Sequence, residues 1–331
     1  MGWVIAAIVL LGPFAGPLPE ARAVIAAQDQ IDQPTTAGQG ADATAAIEAD
    51  AVGDDAAAGV FAQPSAWVLA ITAVLLLAAF FALRAYRLDT APKRPKALTP
   101  ELGTTLFFGM FLLGVIVQYI VSKRAGITGE SETLPHLVVL QGSYYAGQAL
   151  IVGAFIAVCR TAKRPPREAR PSVPWAIVLG AAAMALWWPI VQTTANLGAW
   201  IVQALWQRAP DPIGHETLRV FIDNDIDGWW WALVVCVTLV AGVFEEVMYR
   251  GILQETIRRM RVPGWIAIAL TSVLFALVHM GSVPPHGLVA LFVLSLGFGW
   301  AYEKTGRLAA PMAMHILFNA ANVALAMGMV G

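Results

Sequence analysis

Residues 241–251 read Ala241-Gly242-Val243-Phe244-Glu245-Glu246-Val247-Met248-Tyr249-Arg250-Gly251, directly after the apolar run Trp229 to Leu239. That run is long enough to enter a bilayer, and the stretch places two carboxylates and a guanidinium where hydrocarbon should be. Unpaired charge at such depth is costly, so ionisable residues there are functional candidates. On a helix, Glu246 and Arg250 are four apart, share a face and neutralise each other. Glu245 points about 100° away and is left without that partner. One carboxylate is then structural and the other is free for chemistry. Two later stretches carry groups that can meet it: Phe275-Ala276-Leu277-Val278-His279 and His315-Ile316-Leu317-Phe318-Asn319.

The rest of the composition agrees with a membrane setting. Of 331 residues, 58% are hydrophobic and 13% charged, with a mean hydropathy of +0.66. A soluble fold must turn part of its surface to water, and this chain has too little polar surface to do so. The fold class expected is all-α, a polytopic integral membrane protein. Net charge of −1 identifies no partner, and there is no nucleic-acid motif or Gly-rich phosphate loop. Cys159 and Cys236 stand alone in apolar runs and read as small core residues.

Residues 1–23 resemble a signal peptide or short anchor: an apolar run, Pro and Gly residues, then Ala21-Arg22-Ala23. Residues 24–65 are rich in Ala, Gln and Gly, with seven carboxylates and no Lys or Arg, the composition of a disordered acidic tether. Eight apolar runs follow, each near the bilayer-spanning length of about 20 residues. They are 66–86, 102–122, 136–159, 173–204, 229–251, 264–280, 287–301 and 308–330. Residues 66–227 are read as N-terminal transmembrane helices and 228–331 as a core of the last four spans. Cations cluster after the odd-numbered runs (Arg84 to Lys96, Arg160 to Arg170, Arg258 to Arg261, Lys304 and Arg307), whereas the alternate connections are acidic. By the positive-inside rule those basic loops are cytoplasmic and the tether lies outside. Trp229-Trp230-Trp231 is expected as an interfacial anchor, and His136 is expected to be solvated at a span end.

A carboxylate and an imidazole can hold and deprotonate a water that attacks a carbonyl carbon. A second imidazole and a carboxamide can donate hydrogen bonds to the resulting oxyanion. Glu245, His279, His315 and Asn319 supply these four groups. Phe275, four residues before His279, is placed to shield its ring. The same residues leave a metal reading open, because Glu245, His279 and His315 also make a Zn²⁺ ligand set with a vacant fourth position. The metal-free arrangement is favoured, since no HExxH spacing is present.

Glu245-Glu246-x-x-x-Arg250, Phe275-x-x-x-His279 and His315-x-x-x-Asn319 resemble, in order and spacing, the three motifs of the CAAX-protease and bacteriocin-processing (Abi) family. Gly297-x-Gly299-x-x-Tyr302-Glu303-Lys304-Thr305-Gly306 and Ala310-Pro311-x-x-x-His315 match its flanking residues. The likeness runs from about Trp229 to Asn322. It implies an intramembrane endopeptidase acting on a membrane-associated protein or peptide. By that resemblance Glu245 and His279 activate the water, His315 and Asn319 stabilise the oxyanion, and Glu246 and Arg250 support the site. The signal-like start points to a bacterial plasma membrane, where prenylated substrates are not expected. The alternatives from other classes are a non-catalytic scaffold or bacteriocin-immunity protein of the same fold, and a proton-relaying carrier.

Overall fold

The computed structural model describes residues 64–88, 97–127, 133–162, 170–206 and 216–328, which fall within one compact unit. The leader and the tether as far as residue 63 lie outside the described residues. Each of the eight apolar runs is helical: α1 (Pro64–Ala82), α2 (Pro100–Ala125), α3 (Leu134–Thr161), α4 (Val173–Trp206), α6 (Gly228–Arg259), α7 (Gly264–Leu277), α8 (Pro285–Thr305) and α9 (Ala309–Gly328). A short helix that hydropathy does not signal, α5 (Glu216–Asp223), precedes α6. No strand occurs among the described residues, beyond an isolated bridge between Met280 and Val283.

Six helices, α2, α3, α4, α6, α8 and α9, are long and apolar enough to cross a membrane, and α1 and α7 are shorter apolar helices. The all-α polytopic architecture therefore stands, but its eight helices are not equal spans. The sixth run, read as 264–280, is helical only to Leu277. Ser282 and Val283 turn back to donate to the carbonyl of His279 at 3.1 Å each. The fifth run errs in the other direction and continues to Arg259.

Local chemistry explains where the helices begin and end. Thr99 caps α2 through the Leu102 amide, and Asp227 caps α6 through the Trp230 amide at 2.7 Å. Gly126 and Gly306 close α2 and α8 in left-handed conformation, with φ of 66° and 61°.

Burial is inverted relative to a water-soluble protein. Glu246 and Arg250 are 0% exposed, whereas Leu75 is 64%, Leu112 61% and Trp175 57% exposed. An outward apolar surface with polar groups turned inward is what a hydrocarbon solvent selects. Two apolar clusters build the interior. One joins α1, α4, α8 and α9 around Trp187, Phe298 and Met314; the other joins α2, α3, α6 and α7 around Phe107, Tyr249 and Phe275. The Trp cluster divides its roles: Trp229 and Trp231 are exposed, but Trp230 is buried against Phe221 of α5 and donates to its carbonyl. His136 is partly exposed in the first turn of α3 and makes an interaction there.

Several basic connections meet at one end of the bundle. Lys304 donates to the Arg87 carbonyl, Arg307 to that of Pro171, and the Trp265 indole to that of Tyr86.

Two glycines allow backbones to touch. A Cβ at Gly147 of α3 would collide with the Leu113 carbonyl of α2, and one at Gly180 of α4 with the Ala310 carbonyl of α9. Gly180→Leu is therefore expected to cost about 1–3 kcal/mol or more through overpacking. Gly142→Leu, where a Cβ meets nothing within 4 Å, is expected to be neutral. Thermal midpoints in detergent check the pair, and equal midpoints would contradict the close contact.

Candidate active site

The helix that carries the first motif is not a uniform α-helix. Within α6, Cys236–Val240 and Val247–Gln254 are π-helical, flanking an α-helical turn, Ala241–Glu246, that ends on the two glutamates. Such segments widen a helix and reorient the side chains beyond them, and they are frequent at functional sites. The angular reading of Glu245 against Glu246 holds within the α-helical turn, and Arg250 still reaches Glu246 across the π-helical segment.

Arg250 is held through both of its terminal nitrogens. Its Nη1 donates to Glu246 Oε1 at 2.9 Å, and Nη2 donates to the Ser295 Oγ at 2.6 Å and the Ser295 carbonyl at 3.2 Å. The guanidinium carbon lies 5.0 Å from the Phe275 ring centre and 5.1 Å from that of Phe298. Ion pairing, charge-assisted hydrogen bonds and aromatic faces together replace the hydration of a fully buried cation. The same strip of α6 grips α8 one turn further on, where Gln254 Nε2 donates to Glu303 Oε1 at 3.0 Å.

The second function of Glu246 was not foreseen from sequence. Its Oε1 also receives His315 Nδ1 at 2.9 Å, so the structural glutamate holds the imidazole as well as the arginine. An ionised carboxylate only accepts, so this contact puts a proton on Nδ1 of His315 and turns Nε2 toward Glu245. His315 Nε2 stands 3.9 Å from Glu245 Oε2, too far for a direct hydrogen bond and suited to one bridged by water. That Glu245 oxygen is buried without a hydrogen-bond partner, although the side chain as a whole is 20% exposed. The His315 ring stacks on Phe298 with centroids 5.0 Å apart.

His279 follows the last turn of α7. Its Nδ1 lies 2.7 Å from the Phe275 carbonyl, which can only accept, so the neutral ring carries its lone pair on Nε2. Phe275 stands between the imidazoles, 4.8 Å from the His279 ring and 5.8 Å from that of His315.

The structure thus gathers Glu245, Glu246, Arg250, Phe275 and His315 around one centre, and His279 joins it through its contact with Phe275. Asn319, one turn beyond His315, donates Nδ2 to the Val237 carbonyl in the first π-helical segment at 2.8 Å. One amide N–H is thereby committed to the backbone and the other is left. No group of three or more His, Cys, Asp or Glu side chains is arranged to hold a metal ion among the described residues. Ser295, Phe298 and Gln254 escaped the sequence reading. Their signal was faint: small or polar residues at four-residue spacing along α8, matching Arg250 and Gln254 on α6.

An all-α, multi-pass membrane protein with an acid–imidazole centre among its helices is the class that this fold and site define. Within that class, residues 227–321 match the family described as Type II CAAX prenyl endopeptidase Rce1-like, consistent with the motif resemblance. The match includes every residue of the centre and excludes α1 to α5. No curated protein and no solved structure matches the chain.

Removing the arginine leaves Glu246 buried without its cation. Arg250→Met is expected to destabilise the protein by about 3–5 kcal/mol, the cost of breaking a buried pair. Ser295→Ala is expected to cost about 1.5–3 kcal/mol, as for a hydrogen bond to a charged group. Unfolding midpoints of the two variants in one detergent test the ranking, and a neutral Arg250→Met would refute it.

Proposed function

We propose that this protein is an intramembrane endopeptidase that hydrolyses a peptide bond in a membrane-associated protein or peptide. The observation that carries the reading is the unpartnered Glu245 oxygen facing His315 Nε2 across a water-sized gap. The family match supports protease chemistry at the level of the family.

In this mechanism a water sits against Glu245 and hydrogen-bonds to Nε2 of His279. Glu245 takes one proton as the water oxygen attacks the scissile carbonyl carbon. The carbonyl electron pair moves onto oxygen, and the oxyanion receives hydrogen bonds from His315 Nε2–H and the remaining Asn319 N–H. When the tetrahedral intermediate collapses, the C–N bond breaks and Glu245 returns its proton to the leaving nitrogen. The products are a carboxylic acid and an amine.

Charge balance supports the assignment. Glu246 and Arg250 cancel, so the centre is neutral when Glu245 and His315 together hold one extra proton. Proton movement between the two then occurs without creating net charge in the membrane.

Residues 228–331 form the peptidase core, carried by the helices of 66–227. The basic loops face the cytoplasm of a bacterial plasma membrane, with the acidic tether outside. The favoured chemistry is metal-free, so phenanthroline is expected to leave turnover unchanged. Loss of turnover that Zn²⁺ restores would instead make Glu245, His279 and His315 ligands.

Glu245→Gln and His279→Ala are expected to lower cleavage by about 10²–10⁴-fold, the usual contribution of a general base. Both variants should insert and fold as the wild type does. The measurement is a proteomic comparison of membrane-protein termini in cells carrying wild type or variant. Termini that persist unchanged would overturn the peptidase reading and favour a non-catalytic scaffold or immunity protein.

A further inference from the structure

A peptide bond can be hydrolysed only where its backbone is accessible, which means outside a helix. An unwound backbone inside a membrane has lost its own hydrogen bonds, and each unpaired amide there costs several kcal/mol. A protease at this depth must therefore offer replacement donors and acceptors beyond the reacting carbonyl.

The structure contains a set of polar side chains that the chemistry above does not use. On α3, Gln141, Tyr144, Tyr145 and Gln148 are three or four residues apart and share one face. That face turns toward the motif helix: the Tyr145 ring lies 5.3 Å from Phe244, next to Glu245. The Glu245 carboxylate is within electrostatic reach of the phenols of Tyr144, Tyr145 and Tyr249. Gly114 of α2 makes room for two of these groups, since a Cβ there would strike the Tyr144 ring at 2.6 Å and the Gln148 chain at 3.3 Å.

Gln148 of this face and Tyr249 of α6 are buried with unused hydrogen-bonding atoms. Gln148 and Tyr249 are each 1% exposed, and Gln148 Oε1 and the Tyr249 hydroxyl have no partner. Tyr145, by contrast, receives the Gln141 amide at 3.0 Å and is satisfied. Leaving such atoms unpaired costs stability, so a site that keeps them calls for a guest that pairs them.

We infer that Gln148 and Tyr144 of α3, with Tyr249 of α6, form a subsite that binds the main chain of an extended, uncharged peptide segment beside the scissile bond. Gln148 Oε1 accepts a substrate N–H, and the Tyr249 and Tyr144 hydroxyls donate to substrate carbonyls. These are positioning residues. Gln148 and Tyr144 lie outside the family match, on the part of the chain the motifs do not require. The inference rests on the peptidase reading for its substrate class, and its test separates the two.

The test uses the full chain in lipid nanodiscs with Glu245→Gln as background, so that binding is read without turnover. The probes are an N-palmitoylated, uncharged Ala/Leu hexapeptide amide and a set of analogues, each N-methylated at one backbone amide. Methylating the amide that Gln148 accepts should weaken binding about three- to tenfold, and Gln148→Leu should abolish that difference, as a double-mutant cycle requires. Tyr249→Phe should weaken the parent peptide by about the same factor. Gln148→Leu also removes the Gln148 hydrogen bond to Tyr144, so the readout that bears on the subsite is the loss of the methylation difference and not the thermal midpoint.

Equal affinity of every methylated peptide, no coupling to Gln148, or no binding of any peptide overturns the subsite. Wild-type protein that cleaves the parent peptide without such coupling keeps the peptidase and sinks the subsite. Coupled binding with no cleavage by wild type keeps the subsite as a peptide site and sinks the peptidase.

Discussion

A single buried pair holds this architecture together. Arg250 and Glu246 are fully enclosed, and each offsets the desolvation cost of the other's charge. Their pairing is also the joint through which three helices are positioned. Arg250 binds Ser295 on α8, Glu246 binds His315 on α9, and both belong to α6. Apolar packing between helices gives little orientation in lipid, because tails and side chains are equally apolar. Directional hydrogen bonds from a buried charge supply the register instead.

The reactive side of the centre follows from that arrangement. With Glu246 occupied by Arg250 and His315, the adjacent Glu245 is the carboxylate left facing the imidazole. Adjacent residues on an α-helical turn point in different directions, so one can be structural while its neighbour stays available. The two π-helical segments on either side of that turn let α6 satisfy both neighbours. The first offers its Val237 carbonyl to Asn319, and the second carries Arg250 and Gln254 to α8.

The helices outside the motif region are more than a membrane anchor. α3 lays a face of Tyr and Gln against the turn that holds Glu245, and α2 supplies the glycine that lets those side chains seat. The family match leaves these helices out. The centre thus has a wall contributed by the part of the chain in which no motif is found.

The membrane class, the approximate helix positions and the Glu246–Arg250 pair could be read from sequence, because they depend on composition and on spacing along one helix. Hydropathy located all eight helices but misjudged α7, since an apolar run does not show where a turn such as 278–283 ends the helix. The motif spacing singled out Glu245, Phe275, His279 and His315 as a set. It did not show that Glu246 serves His315 as well as Arg250, or that Ser295 and Phe298 also meet Arg250. Those contacts join residues more than forty positions apart in sequence, and many hydrophobic sequences would pack without them. The sequence alone determined which groups sit in hydrocarbon and must find partners. The tertiary structure decided which partner each one takes, because that choice depends on how the helices cross and where α6 departs from α-helical geometry.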